Sequence, residues 1–200
     1  MGQVMPRNKI IKDKNEIIDA AMKLIEDEGI SAVSMRRLSK DMGVSSMTLY
    51  NYVHNTQDIL REILIRSFNK IFESMYELMR DLSANGVTGV RAYAYAYAVS
   101  LYRFAKSERD ICAYLIVDGR EAFHDDAELR PFYNPFNAFL IQLEDREFAS
   151  HMELVCRLYE GSVRAIIGDY ARGVRQLDEE TLRALISCFI DGMFPPEHIV

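Results

Sequence analysis

Apolar residues recur along this chain at helical spacing, and segments that alternate with a period of two are scarce. Between Lys14 and Glu28, Ile17, Ala20, Ala21, Leu24 and Ile25 fall at i, i+3, i+4, i+7 and i+8, which makes one continuous apolar face. Gly29 follows as a left-handed terminator, with Ile30 able to pack back on the helix. Ser34 suits the N-cap of a short second helix carrying Met35, Leu38 and Met42 on one face, and Gly43 ends it. Ser45 caps a third, predicted to run to about Val53 with Leu49 and Val53 inward. Asn55 opens the next helix, with Asp58 at its third position completing a variant capping box.

Longer helices follow. Residues 57–84 place Phe68, Ile71, Phe72, Met75, Met79 and Leu82 on one face, and Asn85-Gly86 breaks the run. Helices are predicted from Gly89 to Lys106 and from Arg109 to Val117, and then a loop, DGREAFHDDAEL. Another helix begins near Pro131, bends or breaks around Pro135 and continues to Glu144. Residues 148–171 and 178–193 are the last two helices. The stretch Arg91–Ala98 alternates Tyr with Ala and resembles a strand. Alanine is the best helix former and both flanks are helical, so it is assigned to helix, with Tyr93 and Tyr97 on one face and Tyr95 on another. The fold class is therefore all-α: an N-terminal domain of three short helices over residues 1–55, with a helix-turn-helix at about 34–53, then a larger helical domain over 56–200.

Composition narrows the function classes. About half of the 200 residues are apolar, ample for a core. No run reaches the roughly 18 apolar residues of a membrane span, and the N-terminus has no secretory pattern, so a soluble cytoplasmic protein without a membrane partner is expected. Cys112, Cys156 and Cys188 form no CxxC pair and sit in apolar helical contexts, which suggests buried free thiols rather than a zinc site or disulfides. The net charge of −6 argues at first against nucleic acid. However, residues 1–54 hold eight Lys or Arg against seven Asp or Glu, so the acidity is C-terminal, and Arg7, Lys9, Lys12 and Lys14 form a basic arm.

Residues 34–53, SMRRLSKDMGVSSMTLYNYV, have the layout of a DNA-reading helix-turn-helix: a short helix, a glycine turn, and a second helix that offers its side chains to base edges. A nine-residue helix is roughly 13 Å long, matched to a major groove about 12 Å wide. Its outer positions carry Ser46, Met47, Thr48, Tyr50, Asn51 and Tyr52 rather than the Lys and Glu of an ordinary solvated face. Hydroxyls and an amide bond bases or phosphates, and Met47 suits a thymine methyl.

Taken with LIEDEGISAVSM before it, Arg36, Leu38, Gly43-Val44-Ser45, Leu49-Tyr50 and the helix restart at Asn55, this segment resembles the TetR family of transcriptional regulators over about residues 14–64. The resemblance implies that Arg36 touches phosphate or a base edge, that Ser46, Met47, Thr48, Asn51 and Tyr52 face the groove, and that Tyr50 reaches the phosphate backbone. The family usually has Lys opening its fourth helix where this chain has Thr56, a hydroxyl that still bonds phosphate. It often has His followed by Phe or Val where this chain has Tyr52-Val53, and His54 or the basic arm is placed to compensate for the missing charge.

The resemblance further implies a homodimer that binds palindromic operator DNA, usually as a repressor, and is released by a small-molecule effector. One short reading helix binds modestly, whereas two set about 34–36 Å apart read a two-fold site. Gly161, Ser162, Ala165 and Gly168 form a small-residue stripe and Leu182, Leu185, Ile186 and Phe189 an apolar one, both suited to a four-helix subunit interface or to packing within one subunit. Candidate effector contacts are Met75, Met79, Tyr95, Tyr102, Phe104, Cys112, Phe136, Phe139 and Tyr159, an aromatic set that would admit flat hydrophobic or cationic compounds, unless it is ordinary core. No cofactor, metal site or catalytic constellation is expected. The cluster His124, Asp125, Asp126 and Glu128 is the best metal-like group, and adjacent acids in a loop are more often simply solvated. The alternative to a regulator is a helical interaction or ligand-binding protein that has lost DNA binding.

Overall fold

A computed structural model describes residues 11–116, 118–133, 135–136 and 146–193. Every regular element among them is helical. The chain divides into two compact units, one ending at Arg66 and the other beginning at Ser67.

In the N-terminal unit, α1 (Lys14–Glu28) starts at Asp13, whose side chain accepts from the N–H groups of Asn15 and Glu16. It buries Ile17, Ile18, Ala21, Leu24 and Ile25, while Ala20 sits at the margin. The buried face is thus turned slightly toward Ile18 from the predicted one. Gly29 has positive φ (83°), which a glycine tolerates, but its ψ of 168° is extended and not left-handed helical. The chain leaves α1 through a single 3-10 turn, Ile30–Ala32, instead of folding Ile30 back as a cap, and Ile30 stays half-buried.

The next two helices are α2 (Met35–Met42) and α3 (Ser46–Tyr50). Ser34 caps α2 by accepting from the Arg37 N–H at 3.2 Å, and Ser45 caps α3 by accepting from the Thr48 N–H at 3.1 Å. Between them Gly43 is left-handed, at φ 68° and ψ 32°. The third helix is shorter than predicted: it ends at Tyr50, and the Tyr52 and Val53 N–H groups both turn back to the Leu49 carbonyl. The cause lies at its end, where Asn55 and Asp58 start a new helix almost at once. Asn55 accepts from the Asp58 N–H at 3.0 Å, and Asp58 accepts from the His54 N–H at 2.8 Å.

That new helix, α4 (Thr56–Ala84), begins in the N-terminal unit. Lys14 of α1 pairs with Glu62 at 2.6 Å, and Arg66 donates to Asn15 at 2.9 Å and pairs with Asp19. These bonds, together with buried Ile59, Leu60, Ile63 and Leu64, carry the unit past the boundary at residue 55 read from the sequence. Individually such exposed pairs contribute no more than about 1 kcal/mol, so burial does most of the fastening.

The second unit contains the rest of α4, α5 (Gly89–Ser107), α6 (Arg109–Ile116), α7 (Asp118–Ala122), α8 (Arg130–Tyr133), α9 (Arg146–Ala171) and α10 (Glu179–Met193). Its central helix is α5, which packs against α6, α9 and α10. The Tyr-Ala alternation explains that position. Ala92, Ala94, Ala96 and Ala98 are all buried and leave room for neighbouring helices, while Tyr93 and Tyr97 point inward onto the Phe136 ring at 4.9 and 5.9 Å. Tyr95 faces elsewhere, its ring under the Arg183 guanidinium at 5.4 Å. The predicted loop after α6 contains α7, because the Asp-Gly-Arg-Glu-Ala segment is held by Tyr133, whose hydroxyl donates to the Gly119 carbonyl at 2.9 Å. The helix expected at Pro131 is seen as α8; its predicted continuation to Glu144 lies outside the described residues apart from Pro135 and Phe136. No helix among the described residues is long and apolar enough to cross a membrane.

Two of the three cysteines are buried as expected, and Cys188 is exposed on α10. Burial pushes the Cys112 and Cys156 thiols up to about 12, so neither forms thiolate near neutrality. Native protein at pH 8 is therefore expected to offer at most one thiol to a disulfide reagent such as DTNB, and three after denaturation. Two fast-reacting thiols in the native state would contradict this packing.

Candidate nucleic-acid interface and cavity

The helix-turn-helix is built from inside out. Leu38, Met42, Leu49 and Val53 are buried. Ser39 of α2 and Ser46 of α3 share a hydroxyl–hydroxyl bond at 3.0 Å, which fixes the two helices at the turn. With Leu49 at 0% exposure facing inward, the opposite side of α3 carries Met47 at 73% and Tyr50 at 49%. Asn51 follows, exposed, at the C-cap.

The sequence-predicted contact residues separate into two groups. Arg36, Met47, Tyr50, Asn51 and His54 are exposed, and Thr56 is half-buried at the start of α4. Arg36 has no acidic partner among the described residues, whereas neighbouring Arg37 is held by Glu28 at 2.6 Å and Asp41 at 2.7 Å. The other group is occupied with the fold. Ser46 is engaged with Ser39, and Thr48 shares a 2.8 Å bond with Ser45. The Tyr52 hydroxyl donates to the Ile11 carbonyl at 2.8 Å and ties the segment before α1 to the end of the reading unit. The sequence pattern could not show these engagements, because each partner is settled by tertiary packing.

On the C-terminal helices, Gly161 and Ala165 are exposed and Ser162 is half-buried, and a Cβ at Gly161 would meet nothing within 4 Å. Gly168 lies inside, where a Cβ would stand 3.4 Å from Ile116 of α6. Leu182 and Ile186 are buried, Phe189 is half-buried and Leu185 is exposed. Two leucines that sequence reasoning did not single out stand out beside Gly161: Leu154 at 62% and Leu158 at 64% exposure. They occupy i, i+4 positions leading to Gly161 and Ala165, a spacing that was available in the sequence.

The C-terminal unit holds a cavity of about 30 Å³ lined by Phe68, Ile71, Phe72 and Met75 of α4, Tyr97 and Leu101 of α5, Leu115 and Ile116 of α6, Arg120, Phe132, Tyr133, and Arg164 of α9. Of the residues proposed from sequence for a ligand, only Met75 lines it. Met79 is half-buried further along α4. Tyr95 is bonded to Arg183, Tyr102 donates to the Leu177 carbonyl at 2.9 Å, and Tyr159 donates to the Ala94 carbonyl at 2.8 Å. Phe104, Cys112 and Phe136 are buried in the core, and Phe139 lies outside the described residues. The apolar face of α4 that lines the cavity was legible; Arg120, in the predicted loop, and Arg164, in the small-residue helix, were not. His124 and Asp125 pair at 3.0 Å on the exposed surface, and no group of three metal-ligating side chains occurs among the described residues.

This geometry defines a helix-turn-helix domain joined to a helical body. Residues 17–63 match the family model described as bacterial regulatory proteins, tetR family. Over 79 residues the chain is 33% identical to the HTH-type transcriptional regulator YobS of Bacillus subtilis (strain 168), covering 40% of this chain and 41% of that one. Over 75 residues it is 27% identical to the HTH-type transcriptional regulator SAB2452 of Staphylococcus aureus (strain bovine RF122 / ET3-1), covering 38% and 40%. The match thus spans about two fifths of the length of these relatives. Similarity of fold extends further. The fatty acid degradation regulator FadR from Bacillus halodurans superposes with a TM-score of 0.66 at 16% identity, over 96% of this chain and 100% of that one. Mycobacterium smegmatis BioQ gives 0.63 at 19% identity, over 90% and 97%. The N-terminal helix-turn-helix segment is thus of the TetR type, and the fold of the whole chain is that of these solved regulators.

Tyr52→Phe isolates the fastening of the segment before α1. Loss of its bond to Ile11 is expected to lower the stability of the N-terminal unit by about 1 kcal/mol in urea unfolding. A variant as stable as the parent would show that the hydroxyl is not engaged.

Proposed function

We propose that this protein is a homodimeric repressor that places α3 of each subunit in the major groove of a two-fold operator and leaves the DNA when a small molecule occupies the C-terminal unit. The observation that carries the reading is the two-sidedness of α3. Leu49 is buried, Met47 and Tyr50 are exposed, and Arg36, without an acidic partner among the described residues, is exposed on the preceding helix. An exposed methionine and tyrosine both suit a groove, where a thioether meets thymine methyls and a phenol meets phosphate. Arg36, Met47, Tyr50 and Asn51 are the proposed principal contacts, with His54 and Thr56 toward the backbone. Ser46, Thr48 and Tyr52 act chiefly by holding the others in place.

Dimerisation is supported by exposed Leu154, Leu158, Gly161 and Ala165 on α9 and by exposed Leu185 on α10, where small residues let a partner helix approach and leucines gain burial. Effector control is supported by α4, which supplies four cavity-lining side chains and whose first turns belong to the N-terminal unit. A ligand that prefers one position of that helix changes the spacing of the reading heads.

Fluorescence anisotropy on a duplex selected in vitro from random sequence tests the DNA reading. Arg36→Ala and Tyr50→Ala are each expected to weaken binding by about tenfold or more with unchanged melting, and the parent's affinity to fall steeply with salt. Full affinity in both variants would refute it. In sedimentation, the parent is expected at twice the 23.1 kDa chain mass and a Leu154→Glu/Leu158→Glu double variant at that mass itself. A parent that stays at the single-chain mass at micromolar concentration would exclude the dimer.

A further inference from the structure

The cavity of the C-terminal unit is lined mainly by apolar and aromatic side chains, but Arg120 and Arg164 also line it. Arg164 pairs with Glu160 at 3.5 Å, and that carboxylate is itself buried. Arg120 has no carboxylate within ion-pair distance among the described residues. Among the described residues, then, the two guanidiniums of the cavity lining have one ion-paired acid between them. Tyr97 lines the same cavity at 7% exposure. Burial lowers the proton affinity of Arg120, and Arg164 adds to the effect. Both pressures are relieved by an anion.

The same lining includes a stack of rings. Phe68 lies on Phe132 at 4.8 Å with the planes 5° apart, and Phe72 meets Phe132 at 5.4 Å. We infer that this cavity binds a small aromatic carboxylate, its ring inserted among Phe68, Phe72 and Phe132 and its carboxylate held by Arg120, Arg164 and the Tyr97 hydroxyl. A planar ring gains offset stacking there. A carboxylate matches the fork of a guanidinium, and in a partly dry site such a charge-assisted pair is stronger than a neutral one. An aromatic cation, which the ring content alone would admit, meets two guanidiniums. The cavity as it stands has room for about two water molecules. Entry therefore requires the lining to open, and Phe72 and Phe132 are its half-buried rings. The inference rests on the reading of this cavity as the ligand site.

The test is calorimetric titration of the full chain, without DNA, with 2-naphthoate, the neutral 2-naphthamide and the cationic 2-naphthylmethylammonium. One 2-naphthoate per chain is expected, with the amide and the ammonium at least about tenfold weaker. Arg120→Met is expected to bring 2-naphthoate to the level of the amide, and Arg120→Lys, which keeps the charge, to retain the preference. An amide that binds as tightly as the acid, a preference that survives Arg120→Met, or no saturable binding of the acid up to about 1 mM, a threshold near −4 kcal/mol, would overturn the inference. A separate readout is the selected duplex titrated with saturating 2-naphthoate. A duplex that stays bound refutes effector control and leaves the anion preference standing.

Discussion

Burial of Leu49 is the constraint on which the rest of the reading unit depends. A helix of five residues has no independent stability in water, because nucleation costs more than its few hydrogen bonds return. What keeps α3 formed is that Leu49 is fully enclosed, Ser46 is bonded to Ser39, and Ser45 caps the first turn. These three fastenings leave Met47, Tyr50 and Asn51 exposed, with the positions of those side chains set by groups other than themselves. Preorganisation of this kind spares the complex the entropy of ordering a loop on DNA.

The N-terminal elements were legible in the sequence because their signals are local. Ser34, Gly43, Ser45 and the Asn55–Asp58 pair each act within four residues, and each is found in its expected place. What was not legible depended on competition between neighbours. Apolar spacing alone extends the third helix to Val53, but the cap at Asn55 forces a restart, and α3 ends at Tyr50. At about 7 Å, the helical part of the reading element is roughly half the length first inferred. It is the following turn, closed by Tyr52 and Val53 onto Leu49, that completes it. The engagement of Tyr52 with Ile11, 41 positions away in sequence, had no local signature at all.

In the C-terminal unit, helix identity was legible and side-chain assignment was not. The Tyr-Ala alternation of α5 is helical, as its alanines and flanks imply, and its two inward tyrosines follow from the 3.6-residue period. Periodicity, however, says which face is buried and not whether a buried aromatic meets a void or a neighbour. Tyr102 and Tyr159, both plausible ligand groups, satisfy main-chain carbonyls at 2.9 and 2.8 Å. The cavity instead draws on Arg120 and Arg164, charged residues that a search for apolar contacts passes over. The small-residue stripe of α9 divided for the same reason: Gly161 and Ala165 face out, while Gly168 accommodates α6.

The central claim, that the outward side of α3 enters the major groove in two copies, is tested most directly by dimethyl sulfate footprinting of the selected duplex. That reagent attacks guanine N7, which lies in the major groove. The account requires protection in two patches whose centres are about one helical turn apart, or a whole multiple of it. Bound protein that leaves every guanine N7 reactive, or that protects a single patch without a symmetric mate, would contradict it.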